Sequence, residues 1–195
     1  TRFLHTTIAR NTGGSGEGLY LREQSTAWLT NTILAGHTIG AFLDWSTLTA
    51  THTLWGAGAW DNVTDVVAVE DSIVVATTDI HGDPVFADPG AGDYHIRPPS
   101  AAWDAALDTG LATDIDGDPR PRWDGVDVGA GEYAGSCLVR LNDGPLFGTV
   151  QAAVDASTQA TDVVKVHGRC DTVHDEDDLH QVVYLVPMSH VSRHH

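Results

Sequence analysis

Three aspartates stand at alternate positions around a glycine, at Asp114, Asp116 and Asp118. Carboxylates with this spacing supply the oxygen ligands of calcium-binding loops, but the further glutamate that normally completes such a loop is missing. The pattern therefore predicts either a calcium site on these three carboxylates or an Asp-rich structural turn. Calcium is the one cofactor that the sequence suggests.

Histidines and acids cluster again late in the sequence. His174, His180 and the four acids at 175–178 could collect a divalent ion, with a solvated charged loop as the alternative. His190 and His194 have the spacing of a metal-binding pair on a helix, with a frayed terminus as the alternative. The glycine-rich segment 13–18 lacks the Gly-Lys-Ser/Thr ending of a phosphate loop, which favours a turn between strands.

Aromatic side chains offer a second kind of chemistry, because exposed indole rings stack on sugar rings. The chain has six tryptophans: Trp28, Trp45, Trp55, Trp60, Trp103 and Trp123. Trp28 and Trp55 fall in a strand-like pattern and could simply pack. Trp45 and Trp60 are predicted to bind a ligand.

A polysaccharide lyase or glycoside hydrolase is the enzymatic alternative. A glycosidase needs two facing carboxylates roughly 5 to 9.5 Å apart, and a calcium-dependent lyase needs clustered aspartates with a basic residue that takes the proton. The candidates near the ordered strands are Asp44, Asp61, Asp65 and Arg22. Their pattern does not differ from that of acids in turns, so the sequence names no catalytic residue.

The charge balance limits the partners. The 195 residues include 27 acids but only 10 lysines and arginines, for a net charge of −17. A field of this sign repels polyanions, which disfavours nucleic acid and anionic membrane surfaces as partners. The sequence also has no apolar run of the length of about 18 residues that a membrane span requires.

Repeated strands dominate the first part of the chain. Alternating Thr/aliphatic segments at 3–9, 27–34 and 48–55 recur a little over twenty residues apart, and short strands after glycines follow at 18–21 and 40–43. This spacing predicts the rungs of a solenoid, each rung being one turn of the chain, whose inward side chains stack on the next rung. The inward stacks predicted are Ile8 with Ile33 and Leu54, and either Leu19 with Ala41 or Tyr20 with Phe42.

The order of several motifs carries a resemblance to a known family. The motifs lie at 6–11, 29–34, 82–89, 93–96, 100–105, 114–121 and 127–133. Together they resemble the last rungs and tail of bacterial cell-surface proteins with right-handed parallel β-helix repeats. The resemblance covers residues 3–134 and implies a pectate-lyase-like solenoid at the cell surface, without implying a lyase.

A second stretch, 137–185, resembles the beginning of another protein of the same kind. Val150, Ala153 and Val154 fall on one face of a helix predicted over Thr149–Ser157, which would cover the open end of a first rung. Val163, Val164 and Val166 follow as a predicted strand, and Val182–Leu185 as the next. The inverted order of the two stretches suggests a boundary piece of a longer tandem surface protein or a truncated reading frame.

The chain has two cysteines, Cys137 and Cys170, which bracket this cap-like segment. In a protein that resembles extracellular ones, they are predicted to form a disulfide that stabilises the fold by about 3 to 4 kcal/mol. Two free thiols are the alternative.

The sequence therefore predicts an all-β protein: a right-handed parallel β-helix over 1–78, a Pro/Gly/Asp-rich tail packed on it over 79–134, an α+β cap-like segment over 135–185 and a flexible terminus over 186–195. The predicted function is an extracellular or cell-surface scaffold, structural or adhesive, that binds a polysaccharide or another surface protein. An open first rung has unpaired strand edges, which predicts self-association through the solenoid ends or covering by the C-terminal helix.

Overall fold

The computed structural model describes residues 1–11, 13–135, 137–142 and 144–168. The chain divides into two compact units, Thr1–Ala134 and Gly135–His195. Within the described ranges, no helix is both long and apolar enough to cross a membrane.

Short strands make up the first unit. They are β1 (Arg2–Leu4), β2 (Thr7–Ala9), β3 (Glu17–Leu21), β4 (Thr26–Thr30), β5 (Ile33–Ala35), β6 (Ile39–Asp44), β7 (Thr47–Thr51), β8 (Leu54–Gly56), β9 (Thr64–Val69), β10 (Ile73–Thr77), β11 (Ile80–Gly82), β12 (Phe86–Asp88) and β13 (Asp93–Ile96). A 3-10 turn at Gly58–Trp60 lies between β8 and β9.

The first eleven strands form three parallel walls. Wall A has the order β1-β4-β7-β10, wall B has β2-β5-β8-β11, and wall C has β3-β6-β9. Phe3, Leu29, Ala50 and Ala76 are neighbours across wall A, so successive rungs are 26, 21 and 26 residues long. This is a parallel β-helix of about three turns, and the predicted all-β fold class is confirmed.

The alternation of side chains fills the interior of the β-helix. Leu29, Leu43, Leu48, Ala41 and Ala50 are fully or almost fully buried in one apolar cluster. Burying each of the leucines stabilises the fold by about 1.5 to 3 kcal/mol. The predicted neighbours Leu19 and Ala41 belong to this cluster.

The first predicted inward stack is wrong in part, since Ile33 and Leu54 are neighbours but pack against the tail. Ile8 is the neighbour of Leu34 rather than of Ile33, because both faces of wall B are buried and apolar alternation does not fix its register.

Of the two alternatives for the second stack, Leu19 with Ala41 is the inward one. Tyr20 and Phe42 are indeed neighbours, with parallel rings 5.2 Å apart. However, Tyr20 is 54% exposed, so this pair lies on the outside of wall C.

Single residues make the corners between walls A and B. His5, Asn31, His52 and Thr78 occupy the same place in successive rungs, and all have positive φ, between 45° and 55°. This left-handed conformation is costly for most residues, and asparagine and histidine tolerate it better than most. One residue of this kind turns each rung at the same point.

The tail packs against the outer face of wall B. Phe86 and Ile96 of the antiparallel pair β12–β13, together with Val128, cluster with Ile33 and Leu54 of the wall. Asn31 also holds the tail, since its side chain accepts a hydrogen bond from the Leu107 amide at 2.9 Å and donates one to the Leu107 carbonyl at 2.7 Å. Wall B is thus buried between the interior of the β-helix and the tail.

The second unit is an α+β segment. Strands β14 (Cys137–Leu141), β15 (Leu146–Phe147) and β16 (Val164–Gly168) form an antiparallel sheet of order β15-β14-β16. Helix α1 (Val150–Ala156) begins after Thr149, whose hydroxyl accepts a hydrogen bond from the Ala152 amide at 3.1 Å. Its buried residues are those predicted: Val150, Ala153 and Val154.

Candidate functional site

Trp45 stands at the corner between walls C and A. It follows β6 and has a positive φ of 50°, like Gln24 in the preceding rung and Glu70 in the next. Its carbonyl accepts a hydrogen bond from the Gln24 amide at 2.8 Å, which ties the corners of two rungs together. The indole is 50% exposed, so a rigid corner presents an aromatic ring to solvent.

A cleft of about 220 Å³ lies beside this ring. Its lining consists of Trp45, Gln24, Ser25, Ser46, Thr47 and Asp71. These residues come from three consecutive rungs, because the corners of a solenoid stack on one another. We call this the Trp45 cleft.

Hydrogen bonds between the rungs fix the floor of the Trp45 cleft. The Thr47 amide donates to the Ser25 carbonyl at 2.9 Å, and the Ile73 amide donates to the Ser46 carbonyl at 2.9 Å. The Ser46 amide donates to the Ser72 hydroxyl at 3.1 Å. The backbone therefore holds the lining residues in place without a ligand.

Several polar groups of the Trp45 cleft are available to a ligand. Within the part of the chain that the structure describes, the Trp45 indole N–H, the Gln24 amide group and the Asp71 carboxylate have no hydrogen-bond partner. A flat apolar ring with donors and acceptors around it is the arrangement that binds a sugar, which has one apolar face and a rim of hydroxyls.

Trp60, the other predicted ligand-binding residue, occupies a different environment. It is only 6% exposed and packs edge-on against Phe86, with ring centroids 4.7 Å apart. The Arg10 guanidinium lies 3.9 Å from the centroid of its ring. The Trp60 ring joins wall B to the tail, which makes it the weaker of the two candidates, and ligand binding by Trp60 stays a prediction.

Trp55 and Trp28, the two tryptophans within strands, also have surroundings that differ from those of Trp45. Trp55 is buried inside the β-helix and donates its indole N–H to Asp79 at 2.9 Å, so it packs. Trp28 is 41% exposed on the outside of wall A, where the Arg2 guanidinium lies 5.6 Å from its ring centroid. Trp28 does not line the cleft.

The three aspartates of the predicted calcium loop lie in one turn, but each has partners within the protein. Asp114 accepts hydrogen bonds from the amides of Asp116, Asp118 and Glu132 at 2.8 to 2.9 Å. These bonds depress the pKa of Asp114 in opposition to its burial. Asp118 forms an ion pair with Arg122 at 3.1 Å.

The three aspartates thus form an Asp-rich turn. Over the described ranges, no three His, Cys, Asp or Glu side chains are grouped so that they could hold a metal ion. The calcium site stays a prediction.

A histidine that sequence reasoning missed, His95, binds Asp116, the second of these aspartates. His95 Nε2 lies 2.6 Å from Asp116 Oδ2, and His95 Nδ1 lies 2.6 Å from Asp93 Oδ1. The hydrogen bonds to Asp116 and to Asp93 raise the pKa of His95. The backbone and side-chain hydrogen bonds from His95 lower the pKa of Asp93.

We expect this cluster to make stability depend on pH. Since the pKa of His95 in the folded protein is above its ordinary value of 6.5, its contribution is complete below that pH and is lost as pH rises through the folded pKa. His95→Gln should therefore lower the melting temperature more at about pH 6 than at about pH 9, as followed by circular dichroism. An equal decrease at both pH values would contradict this assignment.

A cavity of about 390 Å³ beside His95 is larger than the Trp45 cleft, and Thr7, Tyr94 and Ile115 contribute to its lining. The Thr7 hydroxyl accepts from the Ala130 amide at 3.1 Å and both nitrogens of His95 contact carboxylates. The Tyr94 hydroxyl and the Asn11 side chain, which also line this cavity, have no hydrogen-bond partner among the described residues. The Trp45 cleft is the better candidate for a stacking ligand, because the Tyr94 ring packs edge-on against Trp60 and Phe86 whereas the Trp45 ring is half exposed.

The four residues considered as catalytic candidates have separate local surroundings. Asp65 accepts a hydrogen bond from the Asn62 side chain at 2.9 Å and contacts His81 at 3.1 Å. Arg22 lies 3.6 Å from Glu23 in an exposed pair. Asp44 ends β6 beside the Trp45 cleft, and Asp61 follows the 3-10 turn.

A second missed group is a buried ion pair in the tail. Arg120 donates to Glu132 at 2.6 Å, and both side chains are 1% exposed. Arg120 also donates to the carbonyls of Asp127, Gly129 and Ala130. Burial raises the pKa of the neighbouring Asp127 carboxyl to about 7. This network fastens the irregular tail.

Other predicted positions lie outside the described residues. They are Cys170, the cluster from His174 to His180, the strand Val182–Leu185 and the pair His190 and His194. The disulfide between Cys137 and Cys170 accordingly stays a prediction.

Comparison with known proteins finds no matching family model, no matching curated protein and no matching solved structure.

Proposed function

We propose that the β-helix is an extracellular adhesive scaffold that binds a glycan in the Trp45 cleft. The observation that carries the proposal is a half-exposed indole on a rigid corner, with polar groups that have no partner around it. Stacked rungs give such a site a stable platform that needs no conformational change to bind. The extracellular location is part of this proposal.

The charges around the cleft indicate which glycans it accepts. Asp71 lines the cleft, Asp44 directly precedes Trp45, and Glu70 lies at the same corner of the next rung. The whole protein carries a net charge of −17. Uronic acid polymers would be repelled. We therefore propose a neutral or amino-sugar polysaccharide as the ligand.

Titration calorimetry with neutral, amino-sugar and uronic acid oligosaccharides tests the proposal. Trp45→Ala should weaken binding of the preferred oligosaccharide at least about tenfold, as expected when a central aromatic contact is removed. Trp28→Ala is the matched control, because it removes another exposed indole outside the cleft, and it should leave the affinity unchanged. Equal losses in both variants, or binding of uronic acids alone, would contradict the proposal.

A further inference from the structure

The three walls of the β-helix do not end at the same rung. Walls A and B each have four strands, whereas wall C has three and ends at β9. After β11 the chain passes into the tail, and none of the residues that the structure describes adds a fourth strand to wall C. Among the described residues, one edge of β9 therefore has no partner strand, and β10 and β11 lack the third wall of their rung.

Burial changes abruptly at this rung. Leu48 on β7 is fully buried, but its neighbour Val74 on β10 is 39% exposed. Leu43 on β6 is fully buried, but its neighbour Ala68 on β9 is exposed. Val74 and Ala68 continue the inward-facing positions of the previous rung, but no described strand covers them.

The segment around the open edge is strongly acidic. Residues 64–82 contain Asp65, Glu70, Asp71 and Asp79 but no lysine or arginine. Asp65 is held by Asn62 and His81, and Asp79 by Trp55. Glu70, which directly follows β9, is exposed and has no ion-pair partner among the described residues.

We propose that the open edge of β9 binds an extended, positively charged segment of a partner protein, which becomes the fourth strand of wall C. An unpaired strand edge supplies backbone donors and acceptors for such an addition, and side-chain pockets select its sequence. The segment would place alternate apolar side chains over Val74 and Ala68, and its basic residues would lie near Glu70. Two copies meeting through this same edge would bring their acidic residues together.

The proposal can be tested with the whole chain and a synthetic peptide. The peptide has roughly eight residues, the length of an ordinary strand, alternates valine and threonine and carries an arginine at each end. It should bind at low salt and shift the backbone amide signals of β9 and β10. A version with glutamate at both ends should bind at least about threefold more weakly.

A charge reversal separates this site from unspecific attraction. Glu70→Lys should reverse the preference between the arginine and glutamate peptides, whereas Glu17→Lys, on β3 at the far edge of the same wall, should preserve it. The proposal is overturned if the arginine peptide does not bind, or if a peptide with prolines in place of its valines binds equally well. Dimers formed through β9 would also overturn it, because a second copy would then be the occupant.

Discussion

Arg120→Met should lower the free energy of unfolding by about 3 to 5 kcal/mol, the range observed when one partner of a buried ion pair is removed. The Glu132 carboxylate would remain buried without its counter-charge, and the carbonyls of Asp127, Gly129 and Ala130 would lose their donor. Urea unfolding followed by tryptophan fluorescence measures the change.

A nearby arginine supplies the control. Arg122 pairs with Asp118 at 3.1 Å, but both side chains are about one third exposed. Arg122→Met should cost no more than about 1 kcal/mol, because solvent screens such a pair. If the two substitutions lowered the free energy of unfolding by similar amounts, the buried ion pair would not be what stabilises the tail.

Asn31→Ala should be nearly as damaging, with a loss of about 2 to 4 kcal/mol. The fully buried side chain binds both the amide and the carbonyl of Leu107 and lies 2.9 Å from His5 Nε2. Alanine would also have to adopt the positive φ of 52° at this corner. Thermal unfolding gives the loss of stability, and hydrogen exchange should show faster exchange of the Leu107 amide.

Thr78 occupies the equivalent corner of a later rung, with φ 55°, but it is exposed. Thr78→Ala therefore places alanine at the same positive φ but removes no hydrogen bond to the tail. It should lower the free energy of unfolding by less than about 1 kcal/mol. A loss of stability as large as that of Asn31→Ala would mean that the positive φ at the corner, rather than the hydrogen bonds to Leu107, causes the effect.

The β-helix was predictable because each rung repeats a local pattern. Alternation of threonine with aliphatic residues indicates a strand, and the regular return of that pattern indicates stacking. The register of wall B was not predictable in the same way. Ile33 is fully buried against the tail and Leu34 is fully buried in the interior. Both faces of the strand are therefore apolar, and the sequence pattern does not show which residue points inward.

The candidate site was predictable only in part. Trp45 and Trp60 both lie near turns, yet one ring is half exposed and the other is buried. The difference arises because the tail covers Trp60 with Phe86, and that contact joins residues distant in sequence. The pairing of Arg120 with Glu132 likewise depends on how an irregular tail folds back, for which no local periodicity exists.

The central claim is that the Trp45 cleft binds a sugar, and the indole N–H signals of the six tryptophans test it most directly. In a titration of the isotope-labelled chain with the preferred oligosaccharide, followed by NMR, the signal that Trp45→Phe removes should shift with the dose. The signal of Trp28 should stay in place. A titration that moves the Trp28 signal and leaves that of Trp45 unchanged would contradict the account.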